Sequence, residues 1–215
     1  MNSIFEFFRN YSDANYILQV GGLALVTLIV YMENGFFFAF FLPGDYLLFL
    51  AGMFASSGQL PFPITLVSAC IVGAAICGSF TGYLFGKFLG DNLQSRKDTW
   101  YFKKEYLTRS KDFFEKHGGK ALILARFMPV IRTFSPIIVG MIKMPLSRFT
   151  IFNIAGALAW GVTLPCAGYY LGEAFPWLRE HVELIILFFL SITTFAVIRT
   201  YLGVKNAPKE EKQPE

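Results

Sequence analysis

The sequence predicts an all-α integral membrane protein organised as an inverted repeat of two re-entrant hairpins, each followed by a transmembrane helix, with flanking helices. Three observations predict this. Of the 215 residues, 54% are hydrophobic and only 16% are charged, against about 25% charged in an ordinary soluble domain. Several apolar runs approach or exceed the 20 or so residues that cross a bilayer core of about 30 Å. Other apolar runs are interrupted by proline, glycine and charge, which end a helix and are costly in lipid.

Residues 1–15 are mixed and polar and read as an N-terminal cytoplasmic segment. They lack the basic start, apolar stretch and small-residue site of a cleaved leader, so the apolar run 16–32 is expected to be a retained helix ending at Glu33-Asn34-Gly35. The next run, 36–55, is broken by Pro43-Gly44-Asp45. It reads as two half-helices meeting at a turn, and the alternative is one kinked helix. Irregular backbone survives at membrane depth only where protein or water covers it. Ser56 to Pro61 form an uncharged loop.

Residues 62–90 form a long apolar segment in which Gly78, Gly82 and Gly86 share one helix face; small residues at this spacing let two helix backbones approach closely. Residues 91–117 hold seven basic residues among Phe102, Tyr106, Phe113 and Phe114, a pattern of amphipathic helices on a membrane surface. Gly118-Gly119 follows at a helix C-cap position. The run 120–142 contains Arg126, Pro129, Arg132 and Pro136 and reads as a second re-entrant hairpin, with Pro43, Gly44, Pro129 and Pro136 as the hairpin-forming residues. Residues 149–172 and 182–202 are long enough to span. Residues 16–203 thus form one polytopic domain, and the polar tail 204–215 is expected to be disordered and cytoplasmic.

Basic residues mark the cytoplasmic side, which places 91–117 and both termini on the cytoplasmic side of a plasma membrane. On that orientation the two hairpins enter from opposite faces. A faint repeat agrees with this. Pro43 lies 39 residues before Gly82, Pro129 lies 39 before Gly168, and Ala51-Gly52-Met53 resembles Val139-Gly140-Met141. Inverted repeats with broken helices are a transporter signature, with the site where the breaks meet.

Composition narrows the function. A net charge of +4 without a dense basic patch argues against nucleic acid. Cys70, Cys77 and Cys166 lie apart in apolar segments, and His117 and His181 are far apart, so neither a metal site nor a redox pair is expected. No cofactor is implied, and the sequence leaves the oligomeric state open. Four ionisable residues fall within the apolar runs: Glu33, Asp45, Arg126 and Arg132. Each costs roughly 2.5–3.5 kcal/mol at a helix centre on insertion scales. They can neutralise one another structurally. Alternatively they divide roles, Arg126 and Arg132 holding a lipid phosphate through the guanidinium fork while Glu33 and Asp45 exchange protons. Carboxylate and phosphate competing for one arginine would then couple proton movement to substrate release.

At these positions the sequence resembles a known family. Glu33-Asn34-Gly35, Phe41-Leu42-Pro43-Gly44-Asp45, His117-Gly118, Arg126-Phe127-Met128-Pro129-Val130-Ile131-Arg132 and Gly140 are similar to the motifs of the DedA family of bacterial membrane proteins, over roughly residues 20–200. The resemblance implies two opposed re-entrant hairpins, a fold shared with eukaryotic VTT-domain lipid scramblases. It implies a role in envelope and membrane homeostasis and transport of a polyprenyl phosphate carrier lipid, dependent on the proton-motive force; the reading adopted is a flippase for undecaprenyl phosphate, although family members differ in substrate. It makes Glu33 and Asp45 the essential acids and Arg126 and Arg132 the essential bases. Alternatives are a phospholipid scramblase, a proton-coupled exporter of small solutes, and a scaffold acting on envelope enzymes. Enzymatic activity is not expected, because the hydroxyls near the arginines, Thr133 and Ser135, have no histidine beside them.

Overall fold

The computed structural model describes residues 22–37, 44–94, 112, 114, 116, 118–179, 181, 183–189, 191 and 194. The segments 1–15 and 204–215, Pro43, His117 and most of the amphipathic stretch lie outside them, as do most residues of 190–202. The described residues are helical, without a strand: α1 Gly22–Gly35, α2 Gly44–Ser56, α3 Ile64–Gln94, α4 Lys120–Ala125, α5 Pro129–Met141 and α6 Leu146–Ala174, followed by a 3-10 turn Pro176–Arg179 and a helical stretch at 183–189. Two helices, α3 and α6, are long and apolar enough to cross a membrane.

Periodicity explains which faces are buried. In α1 the buried stripe is Leu23, Val26, Val30 and Glu33, a 3–4 spacing that stays on one helix face. The helix ends at Glu33-Asn34-Gly35 as expected, and the acid occupies the inward stripe of its last turn. In α6 the same spacing buries Phe149, Asn153, Gly156, Trp160, Gly168 and Gly172, so an amide and an indole face inward among small residues. On the outer surface Phe88 and Leu124 are 68% and 69% exposed, with Leu84, Ile151, Leu158 and Leu187 also exposed. So much exposed apolar surface suits lipid and not water.

The two short helices α2 and α5 pack crosswise: α2 lies along α6, and α5 lies along α3. Both contacts use the same interlock. A Cβ on Gly52 of α2 would collide with the Pro165 carbonyl, and one on Gly168 of α6 with the Phe49 carbonyl, while Gly172 faces Met53. In the other pair a Cβ on Gly140 of α5 would collide with the Tyr83 carbonyl, and one on Gly86 of α3 with the Ile137 carbonyl, while Gly90 faces Met141. The spacing is identical, so Phe49-Gly52-Met53 matches Ile137-Gly140-Met141, and Pro165-Gly168-Gly172 matches Tyr83-Gly86-Gly90. Sequence similarity alone paired Gly82 with Gly168; the contacts pair Gly86 with Gly168, one helical turn on. Gly82 instead faces the Asn34 carbonyl and Pro136.

The second apolar run breaks where α4 gives way to α5, at Arg126-Phe127-Met128. Pro129 takes the first position of α5, where its missing N–H is no loss. Pro136 corrects an expectation, because it lies inside α5 and does not form the break. A proline there leaves the carbonyl four residues earlier without its helical donor. That carbonyl belongs to Arg132, and the Ser135 hydroxyl donates to it at 3.3 Å, which is how a membrane helix accommodates proline. Gly118 does cap a turn as expected. Its φ is 66°, a left-handed value that glycine adopts without strain, and its N–H donates to the Phe114 carbonyl at 2.9 Å. Phe114 is buried against the protein with Tyr83, Leu122, Val139, Met144 and Phe149, so this residue of the amphipathic stretch packs on the domain.

The interlock generates a paired prediction. Gly140→Val should lower the melting temperature in detergent, since overpacking costs roughly 1–3 kcal/mol, whereas Gly73→Ala should not, because a Cβ there meets nothing within 4 Å. Equal melting of both variants would refute the close-approach role of Gly140.

Candidate functional site

The stripes and breaks described above converge on one buried cluster. The last turn of α1 supplies Glu33 and Asn34. The first turn of α2 supplies Asp45, where a helix N-terminus favours an anion. The α4–α5 turn supplies Arg126, the first turn of α5 supplies Arg132, and α3 and α6 supply Ser79, Asn153 and Trp160. Thus five of the six helices and the α4–α5 turn contribute, and all four charged residues singled out from the sequence meet here.

Arg132 is the centre. One terminal nitrogen of its guanidinium donates to Glu33 Oε1, and the other donates to Asp45 Oδ1 at 2.5 Å. The Trp160 indole N–H donates to the same Asp45 oxygen at 2.9 Å, and the Trp160 ring lies 4.6 Å from the Arg132 guanidinium carbon, a cation–π distance. The first turn of α5 is a poor place for a cation on dipole grounds; two carboxylates and an aromatic face offset that. Glu33 is sealed at 1% exposure, whereas the Asp45 side chain retains 21%. The Glu33 carboxylate fits only because residue 44 is glycine: a Cβ there would overlap Glu33 Oε2.

Arg126 is held differently. It donates to Asn34 Oδ1 at 3.4 Å, to Ser79 Oγ at 2.8 Å and to Asn153 Oδ1. Among the described residues none of its partners is a carboxylate. Gly156 makes room for it, since a Cβ there would come within 2.8 Å of Arg126 Cδ. The Asn153 amide also donates to the Ile76 carbonyl at 3.3 Å. Both arginines line one small cavity with Ser79, Ser135 and Asn153. Its volume is about 10 Å³, roughly the space of one water, so a larger group enters only if helices separate. Two polar atoms of the cluster, Glu33 Oε2 and Arg132 Nε, are buried without a hydrogen-bond partner, as is Oγ1 of the next residue, Thr133.

Sequence reasoning found the four charges but missed Asn34, Ser79, Asn153 and Trp160 as their holders. The signal was available for two of them: Asn153 and Trp160 fall on the glycine-marked stripe of α6, where a polar or indole N–H group must find a partner when buried. Of the hairpin-forming residues, Gly44 begins α2 and sits against Glu33, Pro129 begins α5, and Pro43 lies outside the described residues.

Comparison with known proteins found a matching domain family and similar membrane proteins. The VTT domain model matches residues 42–170. The chain is similar to an uncharacterized membrane protein of Mycobacterium tuberculosis (strain H37Rv), 36% identical over 205 residues, covering 94% of this chain and 89% of the relative. It is similar to Protein DedA of Escherichia coli (strain K12), 38% identical over 164 residues, covering 76% of this chain and 74% of DedA. It is also similar to Inner membrane protein YqjA of the same strain, 32% identical over 168 residues, covering 78% and 76%. No solved structure matches it significantly. With the VTT domain spanning most of α2 to α6 and these relatives covering most of its length, the chain is a membrane protein of the DedA family.

Proposed function

We propose that this protein translocates a lipid phosphate across the bilayer, with undecaprenyl phosphate as the favoured substrate and protons as the coupling ion. The observation that carries the reading is the unequal setting of the two arginines. Arg132 is neutralised by Glu33 and Asp45, while Arg126 is buried at 5% exposure among neutral acceptors. A buried cation without a counter-ion is costly, and an anion reaching it replaces weak neutral contacts with charge-assisted ones. Phosphate is such an anion, and its tetrahedral oxygens suit the guanidinium fork.

The acids then supply the coupling. While both are ionised they hold Arg132. Protonation of either weakens that hold and releases a guanidinium into the shared cavity, where it can join Arg126 on the phosphate. Asp45 is the more exposed acid and is the entry point for the proton; Glu33 is the sealed one. In this reading the broken run 36–55, whose second half is α2, and the run 120–142, α4–α5, dip into the membrane from opposite faces, the first apolar run that ends in α1 spans it together with α3 and α6, and both termini are cytoplasmic. The matching interlocks of α2 on α6 and α5 on α3 support two halves of like construction. The dipole-positive starts of α2 and α5 both lie at the charge cluster, as expected where broken helices receive an anionic group.

Reconstitution in liposomes carrying undecaprenyl phosphate tests the proposal. The wild type should expose the lipid on the far leaflet faster under an imposed pH gradient. Arg126→Ala should reduce the rate by about tenfold or more, the loss expected for roughly 1.4 kcal/mol of phosphate interaction, while still folding. Movement of phospholipid and not polyprenyl phosphate would replace the substrate assignment. Asp45→Asn should remove the response to the gradient, and a gradient-dependent rate that survives Glu33→Gln with Asp45→Asn would sink the coupling. Gly44→Ala should mimic loss of Glu33, because the added methyl displaces its carboxylate; transport at the wild-type rate in that variant would show that the Glu33–Arg132 contact is dispensable.

A further inference from the structure

Apart from the charge cluster, the described residues form a groove between α3 and α6. Its volume is about 540 Å³, within the range of about 300–1,000 Å³ for ligand pockets. Ile64, Val72 and Ile76 of α3 line one wall, and Leu158, Val162 and Cys166 of α6 line the other. From Ile64 to Ile76 it runs about 18 Å, at 1.5 Å per residue.

Two details separate it from ordinary lipid-facing surface. Gly73 lines it, and a Cβ there would meet nothing within 4 Å. The other α3 glycines, Gly78, Gly82, Gly86 and Gly90, each face the backbone or a side chain of another helix closely. A helix-interior glycine costs roughly 0.5–1 kcal/mol relative to alanine. At Gly73 no helix contact offsets that cost, but the glycine keeps the groove clear. Ser68 also lines it, 7% exposed, with its hydroxyl unpartnered. Elsewhere in these helices Thr27, Thr81, Thr150, Thr163 and Ser191 bond the carbonyl four residues earlier.

The groove ends beside the charged site. Its inner end is Ile76, whose carbonyl accepts from Asn153, and Asn153 accepts from Arg126. Ser79, one turn beyond Ile76, is another Arg126 acceptor. An apolar groove that ends beside a buried cation, one with no carboxylate partner among the described residues, has the polarity of a single-tailed anionic lipid. We propose that the α3–α6 groove holds the hydrocarbon chain of a lipid whose phosphate engages Arg126. The inference rests on the reading of Arg126 as a phosphate receptor and adds to it a site that selects for chain.

The full-length protein in phosphatidylcholine nanodiscs, with hexadecyl phosphate carrying a photoreactive diazirine at the end of its chain, provides the test. Adducts should concentrate on peptides bearing residues 64–76 and 158–166, and excess unlabelled hexadecyl phosphate should displace them. Gly73→Phe should lower this labelling by about tenfold, equivalent to roughly 1.4 kcal/mol of lost binding. Cys166→Phe, which fills the groove from the opposite wall, should do the same and guards against misfolding of the first variant. Uniform labelling of all lipid-facing helices, unchanged in both variants, would overturn the groove as a chain site. Binding of water-soluble butyl phosphate separates the two ideas. If the wild type binds it and Arg126→Ala does not, while the groove stays unlabelled, the phosphate receptor stands and the chain site falls. If butyl phosphate does not bind and no labelling is displaced, both fall.

Discussion

The bridge that Arg132 makes between Glu33 and Asp45 constrains everything around it. Burying any one of these charges alone would cost several kcal/mol, and the cost is offset only when geometry and the remaining hydrogen bonds are good. Bringing the three together requires the end of α1, the start of α2 and the start of α5 to meet at one depth. That in turn requires two chain breaks, because a continuous helix cannot turn its charged residues back to meet another. The glycines then follow as a consequence. Helices ended short must still pack tightly to bury their polar ends, and Gly52, Gly86, Gly140 and Gly168 allow backbones to approach where a side chain would collide.

Much of this was legible in the sequence, for identifiable reasons. Charges within apolar runs stand out because lipid penalises them, so Glu33, Asp45, Arg126 and Arg132 could be singled out without coordinates. The break before Pro129 was legible because proline restricts its predecessor and lacks a donor. Pro136 misled for the same reason: the sequence shows the missing donor but not that Ser135 replaces it at the Arg132 carbonyl. The matching glycine contacts were partly visible through Gly52-Met53 and Gly140-Met141, yet the register on the long helices was one turn off, since α3 carries a glycine every fourth residue from Gly78 to Gly90 and only the partner decides which ones match. The neutral holders of Arg126 were not legible. Asn34, Ser79 and Asn153 are ordinary residues on three helices, and nothing local announces that they converge.

The two arginines illustrate how one residue type serves two ends. Arg132 is fixed by opposite charges and by the Trp160 ring, an arrangement that resists change until a charge is removed. Arg126 is fixed by amide and hydroxyl oxygens, each weaker and each replaceable by a stronger acceptor. The small cavity between them is closed to anything larger than a water. Opening it means loosening the glycine interfaces, where helices touch through backbone and few side chains need to change rotamer.

The crosswise packing of α2 on α6 also sets an order in time. Glu33 and Arg132 are separated by 99 residues, and Asp45 and Trp160 by 115. At about 5–20 residues per second, synthesis of the intervening chain takes roughly 5–20 s. For that interval the two acids are already made and their partners are not. The nascent N-terminal half therefore waits with its carboxyl groups solvated or protonated until the second half arrives to take them in.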